Sequence, residues 1–116
     1  MPPTTRDLGA RAEDLAARHL EKIGYRILAR NYLMRGGEID IVALNGATLC
    51  FVEVRSRKHA SYGAPEETVV PAKQRRIILA ARHYLATKVR GEPPCRFDVV
   101  AIQGDAITVI PDAFQL

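Results

Sequence analysis

The chain has 116 residues, enough for one domain with a substantial hydrophobic core. Its 47% hydrophobic and 26% charged residues are ordinary for a soluble globular protein and exclude a disordered chain. The excess of 17 Lys and Arg over 13 Asp and Glu gives a net charge of +4, which suits a polyanionic partner without requiring one.

Neither the cysteines nor the amino-terminal segment indicates secretion. Cys50 and Cys95 have no CxxC spacing, which argues against a zinc site, and we expect both to be reduced thiols. The first residues contain no hydrophobic signal segment, and no run approaches the roughly 20 apolar residues of a membrane-spanning helix. We therefore expect a cytoplasmic protein without membrane contact, with a single domain over residues 1–116 and a flexible lead of about residues 1–5.

A first helix is predicted over about residues 6–23, because apolar residues recur there at helical spacing and Gly24 provides a stop. Small side chains surround Glu13 at helical spacing, so this carboxylate could tuck against a sheet. Spacing alone favours instead a solvated acid that pairs with Arg6 or Arg18.

A first strand is predicted over residues 25–33, followed by a hairpin whose strands flank Asn45-Gly46. Both turn residues tolerate positive φ, which makes this dipeptide a strong hairpin signal. A two-residue turn would pair Asp40 with Phe51, whereas a four-residue turn would pair Asp40 with Glu53. A three-residue loop would separate the two acids.

Either even-length loop places Asp40, Glu53 and Arg55 on one face, because side chains alternate along strands. The hairpin is otherwise apolar on both faces, as is typical of central strands. One face is predicted to carry Ile39, Ile41 and Ala43 opposite Cys50, Val52 and Val54, and the other Val42, Leu44, Leu49 and Phe51. Buried acids need compensation, so they form either an ion pair with Arg55 or a site for a divalent cation.

Beyond the hairpin, residues 56–65 read as a polar surface loop, in which His59 is the histidine worth testing, and a second helix begins near Pro71. A charge-rich helix face is usually a solvated one, but beside a metal site it becomes a plausible track for phosphates. The candidate nucleic-acid contacts in the loop and the helix are Arg57, Lys58, Lys73, Gln74, Arg75 and Arg76.

Two further strands are predicted, over residues 95–102 and 107–110, with Asp98 in an ion pair with Arg96 or a nearby basic residue. The apolar tail 110–116 could dock a partner or cover its own core. The predicted fold is α/β: helix, three strands, helix, two strands, in a mixed sheet flanked by helices. The strand–helix–strand crossover makes the third and fourth strands parallel.

The placement of acids within these elements resembles the PD-(D/E)XK nuclease superfamily, whose αβββαβ core carries an acid in the first helix, Asp in the second strand and Glu-x-Lys in the third. The matching residues are Glu13, Asp40 and Glu53-Val54-Arg55. More narrowly, the runs 37–43, 51–55 and 96–100 resemble the small bacterial YraN-like proteins, which are similar to Holliday-junction resolvases. The resemblance implies a restriction-endonuclease-like core.

The chemistry implied by the resemblance is metal-dependent hydrolysis of phosphodiester bonds, as an endonuclease or exonuclease. Asp40 and Glu53 would hold Mg²⁺ or Mn²⁺ together with the backbone carbonyl of Val54, and Glu13 would assist directly or through water. Arg55 replaces the lysine of the motif; it can stabilise charge but cannot act as a general base. The implied partner is nucleic acid, DNA first, with a homodimer as a further possibility. The alternatives are an inactive nucleic-acid-binding module of the same fold and a protein-interaction adaptor.

Overall fold

The computed structural model describes residues 5–57 and 70–115, with side chains described for residues 9–56 and 70–115. Its elements follow the predicted order of helix, three strands, helix and two strands. They are α1 (Thr5–Lys22), β1 (Arg26–Met34), β2 (Gly37–Asn45), β3 (Thr48–Arg57), α2 (Pro71–Lys88), β4 (Cys95–Gln103) and β5 (Ala106–Phe114). Ser56 and Arg57, predicted to begin a loop, instead end β3, and the rest of that loop up to residue 65 lies outside the described residues.

One five-stranded sheet has the strand order β1-β2-β3-β4-β5. The pair β3–β4 is parallel and the other three pairs are antiparallel, which confirms the crossover predicted through α2. Leu44 pairs with Leu49, the register predicted for the four-residue turn. Asn45 and Thr48 also pair, so the turn itself is Gly46-Ala47, and Gly46 has a φ of 62°. Neither described helix is long and apolar enough to cross a membrane.

The central strands are covered on both faces, as their apolar sequences predicted. α1 packs its small and apolar side chains on one face, and α2 packs on the other with Tyr84 at its centre. The α1 side contains Ala12, Ala16, Ala17, Leu20, Ile41, Ala43, Cys50, Val52, Val100 and Ile102. The α2 side contains Ile39, Val42, Leu49, Phe51, Ile77, Ala80, Ala81, Phe97, Val99 and Phe114.

The predicted alternation is wrong at the start of β2, because Ile39 packs on the α2 side and Ile41 on the α1 side. The neighbouring strand changes face at the same level. Arg30 of β1 reaches acids of α1, whereas Tyr32 lies edge-on to a ring of α2. Between them Asn31 has a φ of 51°, a left-handed conformation that reverses which side the following residue faces. Asp40 lies opposite Asn31, between the pairs Arg30–Ile41 and Tyr32–Ile39.

The carboxyl-terminal tail covers the protein's own core. β5 extends to Phe114 and pairs with β4, beyond the predicted end at residue 110. The buried ring of Phe114 stacks on Phe97, with 4.8 Å between ring centroids. The tail therefore has the core-covering role predicted as one of two, while docking of a partner at this edge strand stays a prediction.

Gly37 allows α2 to lie close to the start of β2. A Cβ atom there would lie 2.7 Å from the carbonyl oxygen of Arg76 and 3.0 Å from the backbone nitrogen of Ala80. We expect Gly37→Ala to lower the free energy of unfolding by about 1–3 kcal/mol, because helix backbone must move away. Gly9→Ala is the matched control: a Cβ there meets nothing within 4 Å, so the better helix former should be neutral or stabilising. Urea unfolding of both variants measures the difference, and equal stabilities would contradict the close approach.

Candidate metal and phosphate site

An open pocket of about 710 Å³ lies where β1 and β2 change face, between α1, the sheet and the start of α2. It brings together all four residues predicted to be catalytic, although they come from three separate elements. The polar residues of its lining that matter here are Glu13, Asp40, Glu53, Val54, Arg55 and Lys73. Three acids and two cations therefore share one solvent-accessible space.

Glu53 is the most deeply buried charge in this pocket, at 3% exposure. Its Oε1 lies 3.5 Å from Lys73 Nζ and 3.9 Å from Arg55 Nη1, so the predicted ion pair with Arg55 is present as a long contact. Its Oε2 is buried and has no hydrogen-bond donor among the described residues. Burial first, and the charge of Asp40 second, raise the pKa of Glu53 from 4.5 to about 7, against the opposing effect of Lys73 and Arg55. Lys73 and Arg55 therefore compensate the negative charge of Glu53 only in part.

Asp40 is anchored by the backbone of the neighbouring strand. The Val54 backbone N–H donates to Asp40 Oδ2 at 2.8 Å, so the side chain reaches across from β2 to β3. The strand pairing continues as far as Ile41 opposite Val52, one step short of Asp40 and Glu53. This contact fixes one carboxylate oxygen and places the acid next to Glu53, whose pKa its charge raises.

Glu13 is not the solvated helix acid that its spacing favoured. It is buried, at 7% exposure, and its Oε1 accepts a hydrogen bond at 3.0 Å from Nε of Arg30 and not from Arg18, whereas the side chain of Arg6 lies outside the described residues. Arg30 also donates to Asp14 of the same helix. Burial raises the pKa of Glu13, and Arg30 opposes the rise. The small residues around Glu13 allow α1 to approach the sheet, and Arg30 of β1 then lies within reach.

Lys73 lies inside the pocket, not on the outer face of the helix. Its Nζ donates to Glu38 Oε1 at 3.2 Å in addition to its contact with Glu53. These two carboxylates raise the pKa of Lys73 in spite of its partial burial, which acts in the opposite direction. Sequence reasoning did not select Glu38, and no signal in the sequence separates Lys73 from the other basic residues of α2. The contact depends on the close approach of the helix at Gly37.

The remaining predicted contacts are distributed differently. Arg75 and Arg76 are exposed on α2, and Arg76 lies 3.8 Å from Glu38 Oε1. Gln74 is half-buried in the first turn and does not line the pocket. The side chain of Arg57, together with Lys58 and His59, lies outside the described residues. Cys50 is a buried free thiol and Cys95 an exposed one.

The pocket offers a hard divalent cation only two neighbouring acidic side chains, Asp40 and Glu53. Within residues 5–57 and 70–115, no three Asp, Glu, His or Cys side chains lie close enough to hold an ion between them. Asp40 and Glu53 would therefore hold it with the carbonyl of Val54 and water. Mg²⁺ is usually bound in this way, through one or two carboxylates and several waters. Oε2 of Glu53, which accepts no hydrogen bond from the described residues, would be available as a ligand beside Asp40.

The fold and the pocket define an α/β protein with a mixed five-stranded sheet between two helices, compatible with a restriction-endonuclease-like core. The chain belongs to the uncharacterised protein family UPF0102, which it matches over residues 12–102. A UPF0102 protein of Chlorobium limicola is 54% identical over 86% of this chain and 78% of its own length. One from Cupriavidus taiwanensis is 51% identical over 97% and 86%, and one from Geobacter sulfurreducens is 49% identical over 94% and 89%.

Proposed function

We propose that this protein is a Mg²⁺-dependent nuclease that hydrolyses phosphodiester bonds of DNA, with branched or single-stranded DNA as its substrate. The observation that carries the proposal is Glu53: a buried carboxylate with an open oxygen and a raised pKa, beside Asp40 in an open pocket. A structural ion pair would satisfy its buried oxygens, whereas a cation site leaves a ligand oxygen available.

Each pocket residue has a separate role in the proposed reaction. Asp40 and Glu53 would hold the cation, and the Val54 N–H fixes the orientation of Asp40. When bound, Mg²⁺ lowers the pKa of a coordinated water and neutralises negative charge on the phosphate. Arg55 stabilises charge that develops on the phosphate oxygens, and it takes no part in proton abstraction because a guanidinium group is not a general base. Glu13, held by Arg30, assists from α1.

The second helix supplies the electrostatic attraction for a polyanion. α2 has no acidic residue in its 18 positions, and it begins at the pocket with Lys73. Arg75, Arg76 and Arg82 are exposed along it, where they would contact the phosphate backbone. Arg57 and Lys58, whose side chains lie outside the described residues, stay candidates for further phosphate contacts on sequence alone. Gln74 would add a hydrogen bond in the first turn.

The proposal predicts that the purified protein nicks branched or single-stranded DNA in the presence of Mg²⁺ or Mn²⁺ and stops when EDTA is added. We expect Asp40→Asn and Glu53→Gln each to reduce the rate by more than about 100-fold, since each removes a charged metal ligand. Asp105→Asn is the matched control, because this exposed aspartate lies in the β4–β5 turn, away from the pocket. Equal cleavage by wild type and both pocket variants would contradict the site assignment.

A binding module without catalysis is the second candidate, favoured by the cations that already stand close to Glu53. In that case Lys73 and Arg55 would serve only to neutralise the acids and to attract phosphates. This function predicts salt-sensitive DNA binding that EDTA leaves unchanged. Calorimetry distinguishes the two: Mg²⁺ binding by wild type that is lost in Asp40→Asn supports the nuclease and contradicts the metal-free module.

A further inference from the structure

The ammonium group of Lys73 stands between two carboxylates at the wall of the pocket. Its Nζ is 3.2 Å from Glu38 Oε1 and 3.5 Å from Glu53 Oε1. The side chain is 28% exposed, so it lies at the boundary between the interior and the pocket. One of its partners is the residue that carries the open ligand oxygen, and the other lies closer to solvent.

The two partners are not equivalent. Glu53 is nearly fully buried and needs a nearby positive charge, whereas the side chain of Glu38 is 32% exposed and therefore less costly to leave without a counter-ion. Lysine carries its charge on a flexible four-carbon stem, so the ammonium can move from one carboxylate to the other without movement of the helix. A second cation on Glu53 would repel the ammonium at this short range, since Glu53 is buried and charges near it are weakly screened. The Glu38 carboxylate can then keep the displaced ammonium of Lys73 in an ion pair.

We propose, on the basis of the function proposed above, that Lys73 is the resident counter-ion of this site. It neutralises Glu53 while no metal is bound and competes with an incoming divalent cation for that carboxylate. Glu38 keeps the ammonium when Glu53 is taken. Lys73 is thus a positioning residue that sets the metal affinity. Glu38 determines how easily the Lys73 ammonium leaves Glu53 when a cation binds.

The test is isothermal calorimetry of Mg²⁺ and Mn²⁺ binding to wild type, Lys73→Met and Arg75→Met. The two variants lose the same charge from the same helix, but Arg75 is exposed and does not line the pocket. We expect Lys73→Met to bind Mg²⁺ about tenfold more tightly than either of the others, because the competing charge is gone. Lys73→Arg keeps the charge and should stay within about threefold of wild type. Lys73→Gln replaces the methionine variant if that one does not fold.

Circular dichroism adds a second readout that does not depend on turnover. In EDTA, Lys73→Met should melt below Arg75→Met, since Glu53 has lost its counter-ion, and saturating Mg²⁺ should reverse that order. Wild type and Lys73→Met binding with equal affinity would overturn the counter-ion role and leave the metal site itself standing. Absence of binding by every variant up to about 10 mM metal, roughly tenfold above the weakest dissociation constants typical of protein cation sites, would overturn both.

Discussion

Glu53→Gln is expected to raise the free energy of unfolding of the metal-free protein at pH 8 by up to about 3 kcal/mol, while it abolishes the proposed cleavage. The reason is the pKa of Glu53, raised by burial and by Asp40 to about 7 in the folded protein, from a usual value of 4.5. One pKa unit corresponds to about 1.4 kcal/mol. The rise from 4.5 to about 7 therefore means that the ionised carboxylate destabilises the fold by up to about 3 kcal/mol. Glutamine fills the same space without a charge.

The sign of the pH dependence follows from proton binding. Between pH 4.5 and about 7 the folded protein retains a proton on Glu53 that the unfolded chain has lost, so this group makes stability fall as pH rises through that window. Below pH 4.5 both states are protonated and the contribution vanishes. Glu53→Gln should therefore match wild type near pH 4 and exceed it at pH 8.

Urea unfolding in EDTA at pH 4, 6 and 8 measures the effect. Glu92→Gln is the matched control, because Glu92 is an exposed glutamate outside the pocket and should leave the pH profile unchanged. A profile for Glu53→Gln that runs parallel to wild type at all three pH values would contradict the buried, under-compensated carboxylate.

Asp98→Ala should have the opposite effect, a loss of about 3–5 kcal/mol in the free energy of unfolding. Asp98 is fully buried, and its carboxylate accepts hydrogen bonds from Arg96, Tyr25 and Asp112. Arg96 donates to both of its oxygens, from Nε at 2.8 Å and from Nη2 at 3.0 Å. The Tyr25 hydroxyl and the Asp112 backbone N–H donate as well, at 3.2 and 3.0 Å. Removal of the carboxylate leaves these donors without their acceptor.

The loss is large relative to the 5–15 kcal/mol stability of a typical domain, so thermal melting should reveal it directly. Asp105→Ala provides the comparison, since an exposed turn aspartate should change stability by less than about 0.5 kcal/mol. A loss below about 1 kcal/mol for Asp98→Ala would mean that the network is not a structural anchor.

The contrast between Glu53 and Asp98 separates a candidate functional acid from a structural one. Both are buried in neighbouring strands that pair in parallel. Asp98 has donors for both oxygens, whereas Glu53 has an oxygen without a donor among the described residues. Burial by itself therefore does not mark the site. The unsatisfied oxygen does.

The sequence predicted the element order, the parallel crossover and the double-sided burial of the central strands, because these depend on local periodicity and on chain connectivity. It also predicted the pairing of Asp98 with Arg96, since residues two apart on a strand share a face. The match of Glu13, Asp40 and Glu53 to one motif led to the pocket in which they meet.

Other features depended on distances between elements that no local pattern encodes. The left-handed Asn31 reversed the face of its neighbours and moved Ile39 to the other core. Burial of Glu13 required Arg30 from another element.

The amino-acid sequence by itself determined which residues are available for chemistry and which strand or helix carries each of them. Only the tertiary structure decided that Lys73, and not solely Arg55, stands beside Glu53, because that distance depends on how closely α2 packs over Gly37. Two charged groups compensate each other only when they lie within a few ångströms. The order of residues along the chain does not fix the distance between the ammonium of Lys73 and the carboxylate of Glu53.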